Sequence, residues 1–249
     1  MTLFRILLYF LIGLISGFTS GMFGVGAGSI RIPLLNFAGL PILEAYGINL
    51  FVIPFSSSVA AYSHRANIQY RVGVCMLLGG ALGSIAGAFL TSSIPEVTLA
   101  ILFAIITLSS VLGMYYNRIA PRTTIELKGT LRNVILIFGT MVLNMVTGLR
   151  GGSGGSVFPP FLRALGFDVR KSIATSLFVT IFTASAAIGV YWTHGDIPWM
   201  PALSVLVGSL GGARLGSLTS MKTKPAWLEL GLSVLVSAFA FLVIYKAVQ

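Results

Sequence analysis

Long apolar runs alternate with short polar stretches along the whole chain. Runs of roughly 20 residues match the length of a membrane-crossing helix. They predict such helices at 45–63, 72–92 and 97–116, and again at 172–193, 201–219 and 226–248. Ahead of each trio stands a different kind of segment. An apolar helix at 3–23 or 131–149 runs into a glycine-rich interruption, and a short apolar piece follows at 30–38 or 157–165. At about 1.5 Å per residue such a piece covers only about half a bilayer.

The two halves match in letters as well as in pattern. At an offset of 127, "GMFGVGAGSIRIPLLNFAGL" lies over "GLRGGSGGSVFPPFLRALGF", and "GINLFVIPFSSSVA" lies over "ATSLFVTIFTASAA". Gly21/Gly148, Gly24/Gly151, Gly28/Gly155, Ser29/Ser156, Pro33/Pro160 and Gly39/Gly166 are identical pairs. With a two-residue slip, "ANIQY" meets "GDIPW". The reading is two copies of one unit, 1–118 and 128–249, joined by a loop at 119–127. Taken alone, 3–20 with Arg5 would resemble a signal peptide; its second copy makes it part of the fold.

If each short piece turns back, every unit makes three further crossings, so the copies are inverted. Arg65, Arg71, Arg118, Arg122, Lys128, Arg132, Arg163, Arg170, Lys171, Lys222 and Lys224 then share one side. Glu44, Glu96 and Asp196 take the other, as the positive-inside rule asks. Arg5 and Lys246 are the exceptions. A simple kink at each break would give parallel copies and put two basic loops on the wrong side.

Composition agrees with the membrane reading. Hydrophobic residues make up 56% and charged residues 9% of the chain, and the mean hydropathy is +0.95. A soluble domain carries about 25% charged residues. The expected fold class is therefore an all-α integral membrane protein. It has two homologous, inverted helical repeats, each with a broken, re-entrant first helix and three transmembrane helices. The excess of 16 basic over 6 acidic residues follows from membrane sidedness, and no nucleic-acid partner is expected.

The acids lie at the edges of apolar runs, so no mid-span carboxylate offers a proton or sodium relay. Cys75 stands alone and reads as a packing residue, which excludes a disulfide within the chain. His64 and His194 fall near loops. No metal site, cofactor or nucleophile–base set is expected, and the chain reads as no enzyme.

The breaks carry the candidate chemistry. Glycine frees backbone groups, and unpaired backbone at membrane depth survives only inside protein or beside a watery cavity. Two equivalent breaks point to a transporter's midplane site. Ser29 and Ser156 are expected as N-caps of the short helices, whose free N–H ends suit an anion. Arg31 and Arg150 stand deep in apolar surroundings with no acid nearby, which favours an oxyanion ligand. They are not equivalents, since Arg31 lies over Phe158. Asn49 and Ser176 are equivalents on the next helices. Gly80, Gly83, Gly87, Gly208, Gly211, Gly212 and Gly216 are assigned to close helix packing. Trp192, Trp199, Trp227, Tyr70, Tyr115 and Tyr116 read as interfacial anchors. "GVGAGS" brushes a dinucleotide fingerprint but lacks the preceding strand.

These motifs together resemble the sulfite exporter TauE/SafE family of membrane permeases. The likeness rests on the doubled glycine motif at Gly24–Pro33 and Gly151–Pro160, on "GINL" and "ATSL", and on a histidine before "GDIPW". It covers nearly the whole chain. Ala27 stands where a further glycine is common, and Arg150 departs from the pattern. The resemblance implies export of sulfite or an organosulfonate across the cytoplasmic membrane without ATP hydrolysis by the protein itself. The expected site is Gly26, Ala27, Gly28, Ser29, Arg31, Asn49, Arg150, Ser153, Gly154, Gly155, Ser156 and Ser176. The expected partners are a small anion, the lipid bilayer and, as an option left open, a second copy of the chain. An anion channel, or a permease for another small anion, is the alternative.

Overall fold

The computed structural model describes residues 3–24, 27–90, 129–149, 151–193 and 197–224, with single positions between 95 and 105 and between 226 and 238. The predicted helices at 97–116 and 226–248 therefore lie largely outside the described residues, as do Gly26, Arg150, His194, Tyr115 and Tyr116.

The described residues form helices and no strands. They are α1 (Leu3–Phe23), α2 (Gly28–Phe37), α3 (Ile42–Ser63), α4 (Tyr70–Leu90), α5 (Gly129–Gly148), α6 (Phe158–Ala164), α7 (Val169–Thr193) and α8 (Trp199–Lys222), with a 3-10 turn at Arg65–Asn67. All but α2 and α6 are long and apolar enough to cross a membrane. Their outward faces carry large apolar side chains such as Leu3, Leu82 and Phe89, as lipid-facing surfaces must.

Glycine sets the closest helix pairs. Gly13, Gly17 and Gly21 of α1 face the backbone of Val205, Ser209 and Ala213 on α8. In return Gly208, Gly212 and Gly216 face Phe10, Leu14 and Phe18. On the other side Gly79, Gly83 and Gly87 of α4 face Ile137, Met141 and Met145 of α5. Added Cβ atoms at these nine glycines would lie only 1.9–2.4 Å from backbone oxygens. Without side chains the backbones approach closely and gain dispersion contacts, the main force between helices in lipid. Two of the glycines assigned to packing differ. Gly211 has only the tip of Leu14 at 3.8 Å, and Gly80 faces the side chains of Thr183, Asn144 and Phe158.

These contacts also fix direction. The paired residue numbers rise together, so α1 runs parallel to α8 and α4 parallel to α5. His64, at the end of α3, lies beside Gly21, near the end of α1. Thus α1 and α3 run the same way, and α2 carries the chain back between them. Tyr46 packs edge-on against Tyr191, with ring centroids 6.4 Å apart, while His64 lies near Arg170. Hence α3 and α7 run antiparallel. Trp192, Trp199, Trp227 and Tyr70 are exposed, and Trp192 stacks edge-on with Trp199 at 5.1 Å.

The short helices end alike. Gly39 and Gly166 are left-handed, with φ of 92° and 86°. Leu40 N–H donates to Leu35 C=O and Phe167 N–H to Leu162 C=O, both at 3.1 Å. A Schellman turn thus stops each one, because glycine takes positive φ without a Cβ clash.

Candidate functional site

The two breaks are built from the same backbone pattern. Gly24 and Gly151 are left-handed, at φ 69° and 59°, and Ala27 and Gly154 follow at 36° and 68°. The carbonyl of Ala27 accepts the N–H groups of Ile30 and Arg31 at 3.0 and 2.7 Å. That of Gly154 accepts those of Val157 and Phe158, both at 2.9 Å. Ala27 alone among the described non-glycine residues has positive φ.

The capping expectation needs correction. The N-caps are Ala27 and Val157, and neither helix has a side-chain cap. Ser29 lies inside the first turn of α2, and its hydroxyl is buried with no partner. Ser156 lies in the turn before α6 and is buried. The first N–H groups of α2 still lack intrahelical acceptors.

Arg31 projects from α2 into the protein and is 0% exposed. Its Nε donates to Ser16 Oγ of α1 at 3.2 Å, and its second terminal nitrogen donates to Ser209 Oγ of α8 at 3.0 Å. The first terminal nitrogen donates to Asn49 Oδ1 at 2.9 Å and approaches the Asn49 carbonyl at 3.4 Å. Ser16 and Ser209 both pass their protons to the carbonyl of Gly13, at 3.1 Å. Every partner of the guanidinium is neutral. Removing an ion from water is costly unless it is paired, and among the described residues no carboxylate pairs it.

Asn49 links this cluster to the second break. Its Nδ2 donates to the Gly151 carbonyl at 2.7 Å, and the Gly28 backbone packs on the same amide. Ser176 makes the reciprocal tie, donating to the Gly24 carbonyl at 3.1 Å. Thus the fold brings Gly28, Arg31 and Asn49 together and holds both breaks from α3 and α7.

The second break is polar but uncharged among the described residues. Asn144 Nδ2 donates to the Gly80 carbonyl, and its Oδ1 accepts from Thr147 Oγ1 at 3.1 Å. Gly154 N–H donates to Thr147 Oγ1 at 2.9 Å, and Thr183 Oγ1 to the Ser153 carbonyl at 3.1 Å. The hydroxyls of Ser153 and Thr180 are buried and unpartnered. Gly155 lies buried in the turn. Phe158 occupies the place over Gly80 and Gly154 that, at Arg31, is filled by a cation over Ser209. Gly80 and Ser209 stand at the offset of 129, the one that also relates Gly79, Gly83 and Gly87 to Gly208, Gly212 and Gly216.

Ser16, Ser209, Asn144 and Thr147 escaped the sequence reading. Small or neutral residues inside apolar helices carry no signal of which distant helix they meet. Ser209 sits in the same stripe of small residues as Gly208 and Gly212, which was the available clue. Among the described residues no group of three or more His, Cys, Asp or Glu side chains is placed to hold a metal.

A family model described as sulfite exporter TauE/SafE matches residues 9–243. The chain belongs to the sulfite exporter TauE/SafE family. It is similar to the probable membrane transporter protein YdhB of Bacillus subtilis, 33% identical over 224 residues that cover 85% of this chain and 87% of that one. A probable membrane transporter protein of a Sinorhizobium species, ORF9, is 30% identical over 85% of this chain and 82% of its own. One from Haemophilus influenzae is 25% identical over 98% of this chain and 97% of its own. No solved structure matches the chain. As a family member with six long apolar helices among its described residues, it is a multi-pass membrane transporter of the cell membrane.

Proposed function

We propose that the chain exports a small sulfur oxyanion, sulfite or an organosulfonate, by alternating access, binding it between the two glycine breaks. The observation that carries this reading is Arg31, a fully buried guanidinium whose partners are all neutral. An incoming oxyanion would replace serine and amide oxygens with charged ones. The guanidinium's present bonds are already charge-assisted, but only an oxyanion also offsets its buried charge and matches its fork bidentately. The free N–H groups at the start of α2 and the hydroxyl of Ser29 lie on the same turn and supply further donors. Gly26, Ala27, Gly28, Asn49, Ser153, Gly154, Gly155, Ser156 and Ser176 complete the proposed shell, with Arg150 as a second charge.

The packing supports a rocking motion. The first helix of each proposed unit packs on the last described helix of the other, α1 on α8 and α5 on α4, with α3 and α7 between. An inverted pair built this way can exchange conformations. An anion leaving a negative-inside cell gains about 2.3 kcal/mol per charge per 100 mV, so the membrane potential suffices as driving force. Counterflow in proteoliposomes tests the reading. Saturable sulfite uptake, accelerated by sulfite inside, is expected. Flux that never saturates would make the protein a channel, and no flux with any sulfur oxyanion would remove the substrate assignment.

A further inference from the structure

An exposed arginine stands on the lipid-facing side of α8. Arg214 is exposed on α8, in the same outward stripe as Val207 and Leu218 and beside Leu215. It stands eight residues before Lys222, about 12 Å along the helix. Its first terminal nitrogen donates to Ser63 Oγ, at the last residue of α3, at 2.7 Å. That bond serves one of five N–H donors, and the described residues provide no carboxylate for the rest. A second guanidinium stands at the same helix end. Arg65 is exposed, donates to the Tyr62 carbonyl at 3.3 Å and lies 4.5 Å over the Tyr62 ring. Tyr62 itself is exposed. Arg71, Lys171, Lys222 and Lys224 belong to this end of the bundle too.

In a bilayer, unused guanidinium donors so close to apolar surface need acceptors at headgroup depth. Long basic side chains reach toward that layer. Phosphate oxygens match the fork geometry of arginine. We propose that the lipid-facing surface where α3 meets α8 binds the phosphate of an anionic phospholipid headgroup, gripped by Arg214 and Arg65 with Ser63 and Tyr62 between them. Two positive charges with no carboxylate paired to them among the described residues favour an anionic headgroup over a zwitterionic one. Exposed Phe55, Leu215 and Leu218 offer apolar surface to the acyl chains, which a free phosphate would not use. This site is separate from the buried Arg31 cluster and does not depend on the cargo.

Native mass spectrometry of the full-length protein, with phosphatidylglycerol and phosphatidylcholine added in equal amounts, tests it. The unaltered chain retains phosphatidylglycerol over phosphatidylcholine. Arg214→Gln cuts that preference about fivefold, the factor expected for one basic residue near the surface. Arg214→Lys keeps part of it. Arg5→Gln, at the opposite end of the bundle, leaves it unchanged. Inorganic phosphate does not displace the lipid. Equal retention of the two lipids, an unchanged preference in Arg214→Gln, or displacement by phosphate alone would overturn the proposal. Should Arg214→Gln fail to fold, Arg65→Gln carries the same expectation, and an unchanged preference there overturns it equally.

Discussion

The side-chain amide of Asn49 on α3 donates to the carbonyl of Gly151 at 2.7 Å, while its oxygen accepts from Arg31 at 2.9 Å. One buried amide therefore joins the charged half of the site to the backbone of the other break. Replacing it by alanine strands the Gly151 carbonyl and removes the side-chain acceptor of the first terminal nitrogen of Arg31, which keeps Ser16 and Ser209; unsatisfied buried groups cost about 1–3 kcal/mol each. Asn49→Ala is expected to lower the thermal midpoint by several degrees and to weaken anion binding, measured on the same purified protein. An unchanged midpoint would mean that the bridge does not hold the fold.

Glycine packing gives a paired test. A Cβ at Gly212 would lie 2.1 Å from the Leu14 carbonyl oxygen, whereas one at Gly211 meets only the tip of Leu14 at 3.8 Å. Gly212→Ala should destabilise by about 1–3 kcal/mol, the usual cost of overpacking. Gly211→Ala should be neutral or slightly stabilising in the same chemical-denaturation series. Equal effects would contradict the close α1–α8 pairing.

Backbone strain gives a second pair. Ala27 holds φ at 36°, and its counterpart in the other break is Gly154 at 68°. A left-handed residue with a Cβ costs about 1–2 kcal/mol. Ala27→Gly should stabilise by up to about 1 kcal/mol. Gly154→Ala should destabilise more than that, because its Cβ would also meet Asn144 Oδ1 at 2.4 Å. Thermal unfolding of the two variants side by side checks the opposite signs.

His64 gives a pH dependence. It caps the end of α3, outside the spans, and is 2% exposed. Burial holds its imidazole below the ordinary value of 6.5; nearby Arg170 adds to the effect and the Gly21 carbonyl opposes it. The fold thus prefers the neutral ring. Below about pH 6.5 the unfolded chain binds the proton more readily, so stability is full above that pH and falls as pH drops. The thermal midpoint should decline between pH 7.5 and 5.5, and less in His64→Gln. An equal decline in both would assign the effect elsewhere.

Much of this was legible in the letters. The helix at 3–23 follows directly from its apolar run, and the short pieces follow from the glycines that bound them. Arg31 and Asn49 were read as parts of one site because each is polar in an apolar run, and the fold places them in contact. The caps were misjudged because each serine stands one or two positions from the residue that starts its helix, and hydroxyls announce caps only when the start is known. Ser16 and Ser209 were missed for a different reason. They meet Arg31 only once α1 and α8 pair, and that pairing joins opposite ends of the chain. Arg214 carries no such signal in the sequence, since its Ser63 partner lies on another helix and is met only through packing.

Arg31 is the proposed counter-charge of the anion. Binding of sulfite, sulfoacetate, taurine and sulfate to the purified protein tests this directly, with Arg31→Gln and Arg150→Ala alongside. Saturable binding of sulfite or sulfoacetate is expected, weakened roughly tenfold or more in Arg31→Gln, as loss of a charged hydrogen-bond partner implies. A folded Arg31→Gln protein that binds these anions as tightly as the original would contradict it.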